Sequence, residues 1–178
     1  MSTGRVKEKV RIHIRWMIRR DMAEVLATEL ASFDYAWTED DFLRCLRQRN
    51  CIGMVAETDD RVIGFMIYEL HRSRLHILNF AVHPEYRRTG IGAQMLGKLV
   101  NKLSTHRRQR ITLAVRERNL DAQMFFRQFD FKATRVLRKY YEDSGEDAFQ
   151  MEFRVDDEPV EEMESAGPVN RIAQYEEN

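Results

Sequence analysis

The sequence predicts an α+β domain built on a mixed sheet, and three features carry that expectation. Short apolar runs parted by turn residues fill the first half. A strand–helix–strand–helix order follows, with helical periodicity replacing alternation. Two further apolar runs then close the periodic part of the chain.

Taken in order, Val10, Ile12, Ile14 and Trp16 alternate as a first strand with one buried face. Asp21 with Glu24 has the form of a capping box, ahead of Met22, Val25, Leu26 and Leu30 at helical spacing. Thr38 with Asp41 repeats that signal before Phe42, Leu43 and Leu46, which predicts a second, short helix. An aromatic-rich loop, Ser32 to Trp37, lies between them. Runs 51–57 and 61–70, parted by Thr58-Asp59-Asp60, read as a hairpin. Leu75 to Val82 is a strand that stops before Pro84, which has no N–H for a ladder. Ile91, Met95, Leu96, Leu99, Val100 and Leu103 form one stripe of a helix over 90–104. A strand at 111–115, a helix at 119–129 and an antiparallel pair at 131–140 and 147–155 complete a domain over residues 1–155. Residues 156–178 show no periodicity and read as an acidic, flexible tail.

With 178 residues, 43% hydrophobic and 33% charged, the chain has the composition of one soluble domain. No run approaches the roughly 20 apolar residues of a membrane span, and no apolar stretch of signal-peptide type follows the first basic residues. Cys45 and Cys51 fit neither a disulfide framework nor a metal site, so a cytoplasmic protein without metal is expected. The net charge of +0 conceals an asymmetry. Residues 156–178 carry eight acids and one base, which leaves 28 bases against 21 acids, or +7, in residues 1–155. A basic body favours an anionic ligand, although a solvated surface explains it equally simply.

The segment between the third strand run and the helix is the most informative: Val82-His83-Pro84-Glu85-Tyr86-Arg87-Arg88-Thr89-Gly90-Ile91-Gly92-Ala93. A helix start leaves several N–H groups unpaired and concentrates partial positive charge. Gly90 and Gly92 keep side chains away, so that a phosphate can approach those donors. Arg87 and Arg88 add charge at the rim. The plainer alternative is a loop punctuated by Pro84 and Gly90. Neither G-x-G-x-x-G nor G-x-x-x-x-G-K-[ST] is present, which argues against dinucleotide or ATP binding.

Over residues 10–155 the chain resembles the GNAT superfamily of acetyl-CoA-dependent N-acetyltransferases. The likeness rests on Leu78 through Gly92, on Val115 through Ala122, and on Tyr140-Tyr141-Glu142-Asp143-Ser144-Gly145-Glu146-Asp147-Ala148. The last of these is similar to N-terminal acetyltransferases, including the ribosomal-protein-alanine type. The resemblance implies a mostly antiparallel seven-stranded mixed sheet flanked by about four helices and splayed at its centre, where acetyl-CoA binds. Its pyrophosphate would lie on the amides of Arg87, Arg88, Thr89, Gly90, Ile91, Gly92 and Ala93. The pantetheine arm would pair with backbone groups of the stretch Phe80, Ala81 and Val82. Asn119 matches the family asparagine at the cofactor, though a helix N-cap is an equal reading.

The resemblance also marks departures. Where the ribosomal-protein type has a basic glutamate this chain has Ala114, and the usual acidic tyrosine position, close to the cofactor, is Phe126. Some relatives use a tyrosine on the strand before the phosphate loop, and His76 stands there; it is also readable as a structural histidine. Tyr140 and Tyr141 match tyrosines of the peptide groove, and one of them would serve as acid; packing of the closing hairpin is the competing explanation. Tyr35 and Trp37 would complete the groove, or serve as core aromatics. Asp130 replaces a common glycine before Phe131, and aspartate tolerates the left-handed turn expected there. The expected activity is acetyl transfer to a protein N-terminal amine, with a ribosomal protein as one acceptor. Transfer to a lysine or small-molecule amine, and a non-catalytic CoA-binding module, are the alternatives. No direct contact with nucleic acid or membrane is expected, and the sequence sets no oligomeric state.

Overall fold

The computed structural model describes residues 11–104 and 107–155. The strands are β1 (His13–Trp16), β2 (Cys51–Thr58), β3 (Arg61–Leu70), β4 (Arg74–Val82), β5 (Arg110–Arg116), β6 (Lys132–Leu137) and β7 (Ala148–Arg154). The helices are α1 (Met22–Ser32), α2 (Glu39–Leu46), α3 (Ile91–Val100) and α4 (Leu120–Gln128). The seven strands form one sheet in the order β1-β2-β3-β4-β5-β7-β6. All neighbours are antiparallel except β4 and β5, as the α+β mixed-sheet expectation requires. Val10, expected in the first strand, and the tail at 156–178 lie outside the described residues.

Apolar side chains cover both faces. Met95, Leu96 and Leu99 of α3 and Phe126 of α4 pack with Leu75, Ile77, Ile111 and Leu113. On the other face Met22 and Val25 of α1 and Phe42 of α2 pack with Val55, Phe65, Ile67 and Ala81. The sheet core is therefore sandwiched between α1/α2 and α3/α4.

Local signals held at three points. The Thr38 and Asp41 capping box forms, with the Asp41 amide donating to Thr38 Oγ1 at 3.3 Å and the Thr38 amide to Asp41 Oδ2 at 2.8 Å. Asp59 and Asp60 turn the hairpin with φ of 49° and 59°, and Asp130 adopts φ 63° after α4. The Asp21 and Glu24 capping box does not form. Asp21, 4% exposed, instead binds the Arg15 guanidinium at 2.7 and 2.9 Å and the Ile18 amide at 2.8 Å. Glu24 accepts the Val62 amide of β3. Charge-assisted bonds to a neighbouring strand outweigh a local cap when the carboxylate is buried. The helix expected over 90–104 stops at Val100, where Lys102 and Leu103 tighten into i→i+3 bonds at 3.0 and 2.9 Å.

One irregularity positions the site. β3 and β4 change register between Ile67 and Tyr68, so Leu78 is an extra residue on β4. Before it, Leu75 and Ile77 face α3 and α4; after it, Asn79 and Ala81 face α1 and α2. β4 and β5 pair only from Arg74↔Arg110 to Ile77↔Leu113. Beyond that pair the two strands part.

Candidate active site

The parted strands leave Leu78–Val82 without a partner on the β5 side. The His83 amide donates to the Ile63 carbonyl at 2.8 Å, which fixes the phase of the ladder to β3. Backbone groups alternate in direction along an antiparallel strand, so those of Phe80 and Val82 point into the gap. They belong to the stretch Phe80, Ala81 and Val82 whose backbone the family resemblance implies for an extended ligand, and Ala81 between them pairs with Phe65 of β3. The Val82 carbonyl is already in use: Arg87 Nε donates to it at 2.9 Å, and Arg87 Nη2 donates to Ser32 of α1 at 2.9 Å. The Arg87 side chain thus ties the loop to α1 rather than rimming it.

At the mouth of the gap the chain turns through Arg88 at φ 61° and Gly90 at φ 84° into α3. The left-handed Gly90 N-cap lets the helix begin abruptly, and its first turn has no carbonyl one turn back for the amides of Ile91, Gly92 and Ala93. Packing at Gly92 is close, since a Cβ there would press on Phe125 at 3.3 Å and touch Phe80 at 3.6 Å. Thr89 Oγ1 donates to the Tyr86 carbonyl and locks the turn. The Arg87 amide is turned to the Pro84 carbonyl at 3.4 Å, so the open donors begin at Arg88. Asn119 accepts the Ala122 amide at 3.1 Å as the N-cap of α4. Phe126, 5% exposed, is a core ring packed on Phe80 and Phe131.

On the opposite face, two loops converge on Arg116 at the end of β5. Its guanidinium stacks 3.7 Å from the Tyr141 ring centroid and 4.9 Å from that of Tyr35. It also binds Asp143 at 2.6 Å and Glu146 at 3.4 Å. Tyr35 belongs to the α1–α2 loop and Tyr141 to the β6–β7 loop, so Arg116 joins the two walls. Tyr35 and Tyr140 are about half exposed. Tyr140 meets Tyr141 edge-on at 5.0 Å. Trp37 does not stand with them; its ring packs on Phe42 at 5.2 Å and anchors the loop from below.

The Tyr141 hydroxyl donates to the Ala114 carbonyl at 3.3 Å, one residue past the last β4–β5 pair. Burial pushes this phenol up to about 12, against the lowering effect of Arg116, so it keeps its proton. His76 shares this face, with Nδ1 2.8 Å from Thr112 Oγ1. Burial, helped by Arg74, moves His76 below its ordinary value and keeps the imidazole neutral. Thr112 and Ala114 are two residues apart on β5, a rise of about 7 Å along the strand.

Two contributors had not been singled out from the sequence. Glu29, 1% exposed, accepts the Trp37 amide at 2.7 Å and Asn79 Nδ2 at 2.9 Å, binding the α1–α2 loop to β4. Burial raises its carboxyl, opposed by the two hydrogen bonds. Its signal was a charge at i+4 from Val25 on an otherwise apolar stripe. Thr112, 3% exposed, holds His76 and carried no local signal.

Strands that part beside the open amides of a helix start are an arrangement suited to a phosphorylated, extended ligand. Residues 16–131 match the Acetyltransferase (GNAT) family, and the chain belongs to that family. Membership makes it an N-acyltransferase with acetyl-CoA as the acyl donor. The N-alpha-acetyltransferase of Sulfurisphaera tokodaii is 32% identical over 123 residues, 62% of this chain and 73% of the relative. The ribosomal protein bS18-alanine N-acetyltransferase of Salmonella typhimurium is 26% identical over 121 residues, 68% and 81% of the two chains. Ard1 from Thermoplasma volcanium superposes with a TM-score of 0.75 at 27% identity, over 83% of this chain and 99% of its own.

Proposed function

We propose that the chain transfers acetyl from acetyl-CoA to the α-amine of a protein N-terminus, by direct attack in a ternary complex. The observation that carries this reading is a set of aromatics beside the parted strands, with half-exposed Tyr35 on one side of Arg116 and Tyr141 with half-exposed Tyr140 on the other. Exposed aromatics on two sides suit an extended peptide, and the names of the relatives point to α-amines. The cofactor enters from the other face, with its pyrophosphate on the amides of residues 88–93. Phe80 and Val82 offer backbone groups to its pantetheine arm, and Val82 does so once Arg87 gives up its carbonyl.

Neutral His76 accepts a proton from the ammonium, directly or through water, and so frees the amine to attack. The amine nitrogen bonds to the thioester carbon, the C–S bond breaks, the thiolate takes the Tyr141 proton, and the surplus proton on the nitrogen returns to the tyrosinate as the amide forms. Tyr141 stands beside Ala114, the position at which the ribosomal-protein type carries its glutamate. Positioning of a reactive thioester supplies much of the remaining rate, on the order of several kcal/mol. A ribosomal protein in the cytoplasm is the acceptor and compartment that this reading favours.

The test is thiol release from acetyl-CoA with peptides bearing free Ala, Ser or Met termini, the same peptides blocked, and small amines. Release that requires a free peptide terminus is expected. Release with blocked lysine peptides or small amines alone replaces the acceptor class. Acetyl-CoA binding without release from any acceptor replaces the enzyme with a binding module.

A further inference from the structure

The end of the sheet away from the parted strands carries a depression of about 380 Å³ lined by Arg72, Ser73, Arg107 and Arg108. Arg74 and Arg110 begin the adjacent strands β4 and β5, and Arg154 ends β7. The carboxylates at this end are already engaged. Glu152 is shared by Arg110 at 3.5 Å and Arg154 at 2.8 Å, and Glu69 binds His71 at 2.8 Å. Arg108 Nε donates to the His71 carbonyl at 2.7 Å. Among the described residues, Arg72, Arg74, Arg107 and Arg108 have no carboxylate partner. Guanidinium groups this close repel one another unless an anion lies among them.

The chain itself supplies one. The Val155 amide donates to the Gln109 carbonyl at 2.8 Å, so the last described residue lies beside the neighbour of Arg108. Asp156, Asp157, Glu158, Glu161, Glu162 and Glu164 follow within nine residues, with no base among them. We propose that the arginine-lined end is a docking surface for an acidic peptide, and that its occupant is the chain's own segment 156–178.

For the six acids at 156–164, average reach favours this surface over the basic loop at Arg87 and Arg88. A random chain of nine residues spans about 15–18 Å on average. That distance covers the arginine depression. The nine-residue strand β4, at about 3.3 Å per residue, places Arg87 and Arg88 roughly 30 Å away. Tethering gives the segment a local concentration near the arginines on the order of millimolar, ahead of a free polyanion. Docking thus covers an arginine-lined end of a domain whose excess charge is +7.

The experiment compares amide spectra of the full chain with those of a full-length variant carrying Asp156→Asn, Asp157→Asn, Glu158→Gln, Glu161→Gln, Glu162→Gln and Glu164→Gln. Outside the substituted segment and its immediate neighbours, shifts at residues 71–74 and 107–110 alone are expected, fading at about 0.5 M salt, where the Debye length falls to a few ångström. A synthetic peptide of residues 156–178 added to the neutralised variant should produce the same shifts. Its affinity should fall at least about tenfold with Arg72→Ser and Arg107→Ser, which leave the Arg108 bond to His71 intact. Shifts centred on residues 87–93, or no shifts, overturn the proposal. So does an RNA oligonucleotide that binds the arginines equally well with and without the tail charges, since the surface would then be open to another partner.

Discussion

Glu29 offers the sharpest test of how the acceptor wall is held. Glu29→Ala removes the acceptor for the Trp37 amide and for Asn79 Nδ2, which is 8% exposed. Each orphaned buried donor costs about 1–3 kcal/mol, offset in part because a buried carboxylate no longer needs to be desolvated. A net loss of about 2–4 kcal/mol follows, or roughly 5–12 °C in Tm for a domain of this size. Glu29→Gln keeps one carbonyl for one of the donors and should lose about half as much. Its pH dependence has a definite sign. A carboxyl raised by burial favours the folded state below its unfolded value near 4.5, and that advantage fades as pH rises through the raised value. The deficit of Glu29→Gln is therefore largest in acid. Thermal denaturation across pH measures it, and steady-state kinetics should show a higher KM for peptide with KM for acetyl-CoA unchanged. Equal stability of Glu29→Ala and wild type, or a matching change in both KM values, refutes the reasoning.

Four other substitutions probe the remaining parts. Tyr141→Phe loses one long bond at 3.3 Å, so stability should change by less than about 1 kcal/mol while kcat falls about 10²–10⁴-fold; paired unfolding and kinetic curves check this. His76→Ala should lower kcat/KM about 10²-fold and abolish an acid limb lying below pH 6.5. Because the folded His76 binds its proton less readily than the unfolded one, it also stabilises the fold above pH 6.5 and less as pH falls below it, visible in urea titrations. Arg15→Met strips two bonds from Asp21, whose carboxyl burial would raise but Arg15 and the Ile18 amide hold below its ordinary value; about 2–4 kcal/mol should be lost near neutrality, and less in acid, by denaturant melts. Gly90→Ala forces a side chain into φ 84°, costing about 1–2 kcal/mol, and should weaken acetyl-CoA binding measured calorimetrically.

Much of this architecture was legible in the chain because its signals are local. Thr38 and Asp41 cap α2 as their spacing says, and Asp130 takes the left-handed turn that aspartate tolerates. The Gly90 and Gly92 loop needed only the order strand, glycine, amphipathic helix. What escaped depends on partners distant in sequence. Asp21 and Glu24 have the spacing of a cap, yet Arg15 and Val62 claim their carboxylates. The extra residue at Leu78 turns Asn79 towards Glu29, fifty positions away, and alternation alone gives no sign of it. The contacts of Arg116 to Tyr35 and Tyr141 exist only once two loops meet at the end of β5.

The central claim is that donor and acceptor approach the parted strands from opposite faces. A crystal structure with a bisubstrate analogue, in which coenzyme A is joined through an acetyl link to a short peptide, tests it most directly. The account predicts the pyrophosphate on the amides of residues 88–93, the acetyl link beside Ala114 and His76, and the peptide between Tyr35 and Tyr140–Tyr141. A peptide leaving along the α3 and α4 face, or an acetyl link remote from Tyr141, would contradict it.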